Sequence, residues 1–358
     1  FLDSVTQIAS LFGIYGLSIL VVITSASLFY LLNKKRIFFI FFTVFITAPL
    51  WYFSYEFGNK ILQNNPVKYT SIKLRLVQPS IKQSDKWSQE AFWSNFQQHI
   101  DLSSENLSPF FPDIIIWPES AVIVQPTYTI VYNKLKAFTA ITNSILITGG
   151  VTDNLYNPQR TKNKIFASIY SIDQAGLLLF EYHKSHLVPF GEYVPFSDYI
   201  SYMKKLTPGD EQYSPGSPRF TVGLEKFGLK IRPLLCYEII FPEEVLMSNK
   251  DADFIMNLTN DGWYGDSSGP YQHFYMSKIR AIESKLPLVR VANNGISGVI
   301  DSFGRILYKT KINQVVNLDS YLPRKVNGET FYYNNKNKYL YIYFIVSFLM
   351  PLLLRKTD

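Results

Sequence analysis

Residues 229–238 read LKIRPLLCYE, a short strand-like segment that leads to Cys236, the only cysteine among 358 residues. Comparable short segments occur along most of the chain, and several are continuously apolar, which is typical of strands covered on both faces. They are 73–77, 113–117, 145–151, 165–172, 177–182, 253–258 and 288–292. Helical periodicity falls between them at 87–107, 128–143 and 271–285. We therefore predict an α/β domain whose sheets are covered by helices.

The composition excludes several classes of protein. Hydrophobic residues make up 47% of the chain and charged residues 18%, which excludes a disordered protein. A single cysteine cannot close a loop, which excludes a disulfide-stapled secreted scaffold. The net charge of +7 permits attraction to anionic lipid or nucleic acid. No basic cluster interleaves with aromatic residues, so we expect no nucleic-acid partner.

Uncharged runs flank the predicted domain. Residues 11–32 carry no charge, and a helix of that length, rising about 1.5 Å per residue, crosses a hydrocarbon core of about 30 Å. Residues 37–55 form a second such run and residues 339–354 a shorter third. Length and absence of charge favour membrane-spanning helices over buried core helices for all three.

Basic residues predict the orientation of these spans. Lys34, Lys35 and Arg36 lie between the first two runs, and Arg355 and Lys356 follow the third. The positive-inside rule places both clusters in the cytoplasm and the intervening domain outside it, which in a bacterium is the periplasm. The predicted division is two transmembrane helices in 1–56, an extracytoplasmic catalytic domain in 57–338, and a transmembrane helix with a cytoplasmic tail in 339–358.

Three chemically active side chains come at the ends of predicted strands. Glu119 follows 113–117, Lys184 follows 177–182, and Cys236 ends 229–236. Each alone is more often a solvated loop charge or an inert core thiol, but three such placements are less easily accidental. Together they could perform acyl chemistry: the carboxylate takes the thiol proton, and the ammonium and a backbone N–H after the cysteine stabilise the oxyanion.

The surrounding motifs resemble a known superfamily. WPES around Glu119, HKSHLVPFGEYVP around Lys184 and LLCYEIIFPE around Cys236 are similar to the Glu-Lys-Cys signature of the nitrilase, or carbon–nitrogen hydrolase, superfamily. Within it, QPSIKQSDKW (78–87), the PFGEYVPF loop, NDGWYGDSSGPYQHFYMSKIRAIE (260–283) and RVANNGISGVID (290–301) resemble the apolipoprotein N-acyltransferase family of Gram-negative bacteria.

The resemblance implies a fold and a reaction. The fold is a nitrilase-like four-layer αββα sandwich flanked by transmembrane helices, on the periplasmic side of the inner membrane. The reaction moves an acyl chain from a phospholipid, typically phosphatidylethanolamine, to a cysteine as a thioester. The α-amino group of a diacylglyceryl-cysteine apolipoprotein then accepts it as an amide. No cofactor is implied.

The resemblance also implies roles for individual residues. Glu119 resembles the general base, Lys184 the oxyanion stabiliser and Cys236 the nucleophile. The other implied positions are Glu192 as a second, supporting glutamate, Tyr237 and Glu238 directly after the nucleophile, and Trp87 and Trp263 as aromatic residues near the substrate.

Two features set limits on this interpretation. Only two uncharged runs precede the domain, whereas the family has seven spans there, so we expect an N-terminally short form or a fragment. The pair His183 and His186 has no third ligand nearby in sequence, so we expect no metal site.

Two other functions remain open. A membrane-tethered amidase could use the same trio to hydrolyse a soluble amide, although it would not need the spans. A non-catalytic lipoprotein-binding module is the third possibility, although it would not need Glu119, Lys184 and Cys236. Release of free carboxylate without an acylated amine would favour the amidase, and full function of a Cys236→Ala variant would favour the binding module.

Overall fold

Twelve strands form two six-stranded sheets in the part of the chain that the computed structural model describes. That part comprises residues 2–34, 41, 43–88, 90–124, 128–153, 164–196, 212–217, 220–246, 251–336, 338, 339, 341 and 343. The strands are β1 Tyr69–Gln78, β2 Ile114–Ile116, β3 Ile145–Asp153, β4 Ile165–Ile172, β5 Leu178–His183, β6 Val222–Leu224, β7 Leu229–Leu235, β8 Phe254–Thr259, β9 Leu288–Ala292, β10 Gly298–Ile300, β11 Ile306–Lys309 and β12 Val316–Pro323. The α-helices are α1 Leu2–Val5, α2 Ala9–Lys34, α3 Ala48–Asn64, α4 Gln83–Lys86, α5 Phe92–Ser104, α6 Thr129–Thr142, α7 Pro242–Leu246 and α8 Gly269–Ser284.

Each sheet has a parallel centre and antiparallel edges. The first has the order β12-β1-β2-β3-β4-β5, with β1, β2 and β3 parallel. The second has the order β11-β10-β9-β8-β7-β6, with β7, β8 and β9 parallel. Parallel neighbours need crossover connections, and helices α5, α6, α7 and α8 supply them. The carboxyl ends of the central strands therefore meet at one edge of each sheet.

The core explains why the predicted strands are continuously apolar. Ile114 and Ile116 of β2 lie between the two sheets, in a cluster that includes Phe254 of β8. Ile115, on the opposite face of β2, packs in a second cluster with Phe138 of α6. A third cluster joins the outer face of the second sheet to α8. The elements therefore stack as helix, sheet, sheet and helix, which is the order that the family resemblance implies.

Most element boundaries agree with the sequence prediction, and one helix differs. The helix predicted over 87–107 begins only at Phe92, because Trp87 ends the short helix α4 with non-helical dihedral angles (φ −104°, ψ 4°). Four strands were not predicted, namely β6, β10, β11 and β12. Three of them have only three or four residues, and β12 carries Asp319 and Ser320, which break its apolar pattern.

A long apolar helix precedes the domain. Leu2–Phe29 is helical, has a mean hydropathy of 2.1 and is long enough to cross a membrane; it is the one such helix among the described residues. Gly13 interrupts it with φ 67°, and a side chain there would overlap the ring of Tyr332. Most of the second predicted span is helical where it is described, but α3 continues past residue 55 to Asn64. The third predicted span lies outside the described residues except for 339, 341 and 343.

Candidate active site

Cys236 lies at the carboxyl end of a central strand. It directly follows β7, opens the 3₁₀ helix Cys236–Ile240 and is buried. Its backbone has a positive φ of 45°, a conformation that costs a non-glycine residue about 1 kcal/mol or more and that persists only where neighbours enforce it. Asn257 Nδ2 donates to the Leu234 and Cys236 carbonyl oxygens, both at 3.3 Å, and so holds this turn.

Glu119 reaches the same place from the first sheet. It follows β2 through Trp117 and Pro118, and its side chain is buried. Gly149 on β3 makes this possible, because a Cβ at that position would lie 2.6 Å from the Glu119 Cα. The glycine pair at 149 and 150 thus allows close packing of the segment that carries Glu119 against the neighbouring strand.

Lys184 lies between two carboxylates. It follows β5 and its side chain is almost completely buried. Its Nζ lies 2.6 Å from Glu192 Oε1 and 3.7 Å from Glu119 Oε1. Glu192 is fixed in turn, because its Oε2 accepts a hydrogen bond of 2.8 Å from the Val188 N–H. The Lys184 ammonium is therefore held between the two carboxylates and lies closer to Glu192 than to Glu119.

Burial and these charges set the protonation states of the site. Burial raises the pKa of Glu119, and Lys184 opposes that shift. Burial alone would lower the pKa of Lys184, but Glu192 and Glu119 raise it well above its usual value. Burial, with the Glu119 charge, raises the pKa of Cys236 to about 12. The thiol therefore keeps its proton at rest and needs a base within the pocket.

Glu238 and Tyr237 have different surroundings although they are neighbours. The buried Glu238 carboxylate accepts hydrogen bonds from the Tyr182 hydroxyl at 2.9 Å, the Ser185 N–H at 2.9 Å and the Leu235 N–H at 2.8 Å. It therefore joins the ends of β5 and β7, which carry Lys184 and Cys236. Tyr237 is half-buried, and its ring packs edge-on against Phe241.

The two tryptophans are exposed on adjoining segments. Trp87 is 36% exposed and Trp263 is 46% exposed. Trp87 follows α4, and Trp263 belongs to the 3₁₀ helix Asp261–Tyr264 after β8. Asn260 Nδ2 donates to Gln83 Oε1 at 2.8 Å, which joins the two segments. Both tryptophan rings are therefore partly exposed on segments that lead to the buried site.

Sequence reasoning missed several buried polar residues around the thiol. The Thr259 hydroxyl lies 3.3 Å from Cys236 Sγ, and His273 Nε2 lies 3.2 Å from the Cys236 carbonyl oxygen, to which it donates. Arg290 Nη2 donates to both oxygens of Asp261 at 3.0 Å. Burial would raise the pKa of Asp261, but Arg290 lowers it to about 2.

Lys86 is the other residue that was missed. The residue is 4% exposed, and its Nζ donates to the Glu119 carbonyl oxygen at 2.7 Å. The only available signal for it was its place before Trp87 in the motif at 78–87. For the residues around Asp261, the signal was their presence in the motifs at 260–283 and 290–301.

The histidine pair has other partners. His183 Nδ1 lies 2.8 Å from the Ser168 hydroxyl, and His186 Nδ1 lies 2.9 Å from the Glu244 carboxylate. Within the described ranges, no three His, Cys, Asp or Glu side chains are grouped so that they could hold a metal ion.

Comparison with known proteins identifies the family of this chain. The carbon–nitrogen hydrolase family model matches residues 73–314. An apolipoprotein N-acyltransferase from Rickettsia prowazekii is 43% identical over 352 residues, which are 97% of this chain and 68% of that protein. The one from Rickettsia bellii is 43% identical over 360 residues, covering 99% of this chain and 70% of that protein.

Solved structures show the same fold at much lower identity. The nitrilase-superfamily protein Nit3 from Saccharomyces cerevisiae has 19% identity and a TM-score of 0.52, over 74% of this chain and 93% of that one. At this identity the likeness concerns the fold alone.

Proposed function

The chain belongs to the apolipoprotein N-acyltransferase family of carbon–nitrogen hydrolases, and on that premise we propose that it N-acylates lipoproteins through a thioester on Cys236. The acyl donor in this proposal is a membrane phospholipid. The acceptor is the α-amino group of a diacylglyceryl-cysteine apolipoprotein. The observation that carries the proposal is the Lys184 ammonium, held between Glu119 and Glu192 beside a buried thiol.

The first half-reaction forms the acyl-enzyme. Glu119 takes the thiol proton as Cys236 Sγ attacks the ester carbonyl carbon of the phospholipid. The carbonyl oxygen becomes an oxyanion, which Lys184 and a backbone N–H after the cysteine stabilise. The carbon–oxygen bond to the glycerol then breaks, and the leaving alkoxide takes the proton from Glu119. The products are a thioester and a lysophospholipid.

The second half-reaction uses the same groups. The α-amino nitrogen of the acceptor attacks the thioester carbon and gives a proton to Glu119. The intermediate collapses to an amide, the carbon–sulfur bond breaks, and the thiolate recovers its proton from Glu119. In this scheme Glu192 and Glu238 keep Lys184 and the strand ends in place, Tyr237 lies beside the nucleophile, and Trp87 and Trp263 contact the lipid chains.

We place the enzyme in the inner membrane of a bacterium as a multi-pass protein. The apolar helix Leu2–Phe29 and the basic residues at 34–36 support a span whose carboxyl end faces the cytoplasm. With further spans at 37–55 and 339–354, the catalytic domain at 57–338 faces the periplasm. Both substrates carry acyl chains embedded in lipid, so a domain tethered at both ends lies beside them.

Mass spectrometry of the intact chain tests the nucleophile directly. After incubation with phosphatidylethanolamine alone, we expect the mass to rise by one acyl group located on Cys236. Cys236→Ala should give no adduct, whereas Ser104→Ala, an exposed change on α5, should behave as the wild type.

Two outcomes would contradict the proposal. An adduct on Cys236→Ala would exclude the thiol as the nucleophile. Release of free fatty acid without any acylated acceptor, in the presence of a diacylglyceryl-cysteine peptide, would show that the thioester is hydrolysed by water and is not transferred to an amine.

A further inference from the structure

Lys86 is a buried ammonium that the catalytic scheme does not use. It lies at the end of α4, it is buried, and the Glu119 carbonyl oxygen accepts a hydrogen bond of 2.7 Å from its Nζ. A buried cation is costly unless opposite charge lies nearby, and a neutral carbonyl is an incomplete partner. The placement therefore needs a compensating negative charge within the pocket.

Glu119 and Cys236 are the groups that supply that charge. Burial lowers the pKa of Lys86 to about 8, and the charges of Glu119 and of the Cys236 thiolate oppose this shift. The imidazole of His99 interacts electrostatically with Lys86, but burial lowers the pKa of His99 to about 4, so His99 adds no charge at neutral pH. The field of Lys86 therefore acts on the proton shared by the carboxyl and the thiol.

The charge balance of the site depends on Lys86. Glu119 and Glu192 bring two negative charges, and Lys184 brings one positive charge that the 2.6 Å bond commits to Glu192. With Lys86 protonated, the two glutamates, the two lysines and the Cys236 thiol have no net charge together, whether the mobile proton is on the sulfur or on Glu119. Without it the pocket carries one excess negative charge, which disfavours both the thiolate and the oxyanion.

The segment that carries Lys86 is fixed at its start. The Ile81 N–H donates to Asn293 Oδ1 at 3.0 Å, and Asn293 Nδ2 donates to the Ile81 carbonyl oxygen at 2.8 Å. Gln83 accepts from Asn260 as described above. These contacts join the segment to residues that directly follow β8 and β9. The backbone that carries Lys86 is therefore held in a fixed position next to Glu119.

We propose that Lys86 is a positioning residue of the acyl transfer, which holds the Glu119 loop and provides the second positive charge that lets the proton leave Cys236. The part of this role that concerns acyl transfer rests on the proposed function. Its physical basis, the effect of Lys86 on the thiol, can be measured without any lipid.

The single cysteine allows a clean test in the full-length chain. In detergent, we would measure the rate of iodoacetamide alkylation of Cys236 as a function of pH, because that rate follows the thiolate fraction. Lys86→Met removes the charge and the hydrogen bond, and Lys86→Gln keeps a donor without the charge. Lys82→Met is the matched control, since Lys82 is an exposed lysine on the same segment.

The expected result separates charge from simple packing. At neutral pH, Lys86→Met and Lys86→Gln should be alkylated at least about tenfold more slowly than wild type, which corresponds to one unit in the thiol pKa. The difference should shrink as the pH rises through about 8, where wild-type Lys86 itself loses its proton. Lys82→Met should match wild type throughout.

Two results would overturn the proposal. One is an unchanged alkylation profile in a folded Lys86→Gln variant, and the other is an equal loss in Lys82→Met. Either would leave the proposed function intact if wild-type Cys236 still forms its acyl adduct. Conversely, a slowed alkylation in Lys86→Gln together with no acyl adduct on wild type would refute the proposed function and retain the charge role.

Discussion

At the scale of single residues, the thiol is poorly reactive by itself. Burial raises the pKa of Cys236 to about 12, so almost none of it is ionised at neutral pH. The structure compensates by placing Glu119, whose pKa is raised, in the same pocket. A carboxyl with a raised pKa is a stronger base than an exposed one, and it is suited to move a proton to and from sulfur and nitrogen.

We predict that Glu119→Gln slows acyl-enzyme formation by about 10²–10⁴-fold, because the amide cannot accept the thiol proton. Intact mass spectrometry of the adduct on Cys236 against time measures this rate. The control is Glu105→Gln, an exposed glutamate beyond α5, which should leave the rate unchanged. A folded Glu119→Gln variant that acylates at the wild-type rate would rule out Glu119 as the base.

At the scale of elements, α5 brings a buried histidine against the strand that leads to Glu119. His99 on α5 donates from Nδ1 to the Asn95 carbonyl oxygen at 2.7 Å, and its ring lies 5.0 Å from that of Trp117, between centroids. Burial lowers the pKa of His99 to about 4. The packing of this helix on the first sheet therefore requires a neutral imidazole.

This requirement predicts an acid-sensitive domain. Below pH 6.5 the unfolded chain binds a proton at His99 that the folded chain does not bind. The free energy of unfolding therefore decreases as the pH is lowered, until His99 in the folded chain is protonated near pH 4. The loss attributable to His99 is about 3 kcal/mol in the free energy of unfolding.

Thermal unfolding in detergent across this pH range measures the effect. His99→Leu should remove most of the decline, whereas Gln97→Leu, at an exposed neighbouring position, should not. An identical pH dependence in His99→Leu and wild type would contradict this assignment.

At the scale of the whole molecule, the N-terminal helices are joined to the catalytic domain by polar contacts. Gln7 Nε2 donates to the Phe303 carbonyl oxygen at 2.7 Å, and the Ile14 N–H donates to Glu283 Oε1 at 2.7 Å. Lys278 forms an ion pair with Asp3. The orientation of the domain relative to the apolar helix is thus set by specific contacts in addition to the chain connection.

The proposed topology predicts which residues a membrane-impermeant maleimide can reach. In a Cys236→Ala background, Lys309→Cys in the exposed part of β11 should react in intact spheroplasts, because the domain faces outwards. Lys356→Cys in the tail should react only after the membrane is disrupted. The opposite pattern would invert the topology, and reaction of both in intact spheroplasts would exclude the third span.

The periodic elements, and the titratable residues at their ends, can be predicted from the sequence. Mostly apolar runs such as 113–117 and 253–258 identify strands buried on both faces, because burial on two sides leaves few polar positions. Chain position also places Glu119 and Cys236 after buried strands and Lys184 after the edge strand β5, and the structure brings Glu119 and Lys184 within 3.7 Å of each other. Edge strands such as β12 escaped detection, since an edge tolerates polar residues.

The set of polar residues around the thiol follows from tertiary packing and has no counterpart in the local sequence pattern. Lys86 and Lys82 are lysines on one short segment, yet one is buried against Glu119 and the other is exposed. Likewise Arg290 and Asp261 pair across neighbouring elements without any periodic signal. Burial and charge pairing depend on contacts between segments that are far apart in the chain. These contacts form only when the two sheets pack together, so the local sequence pattern does not predict them.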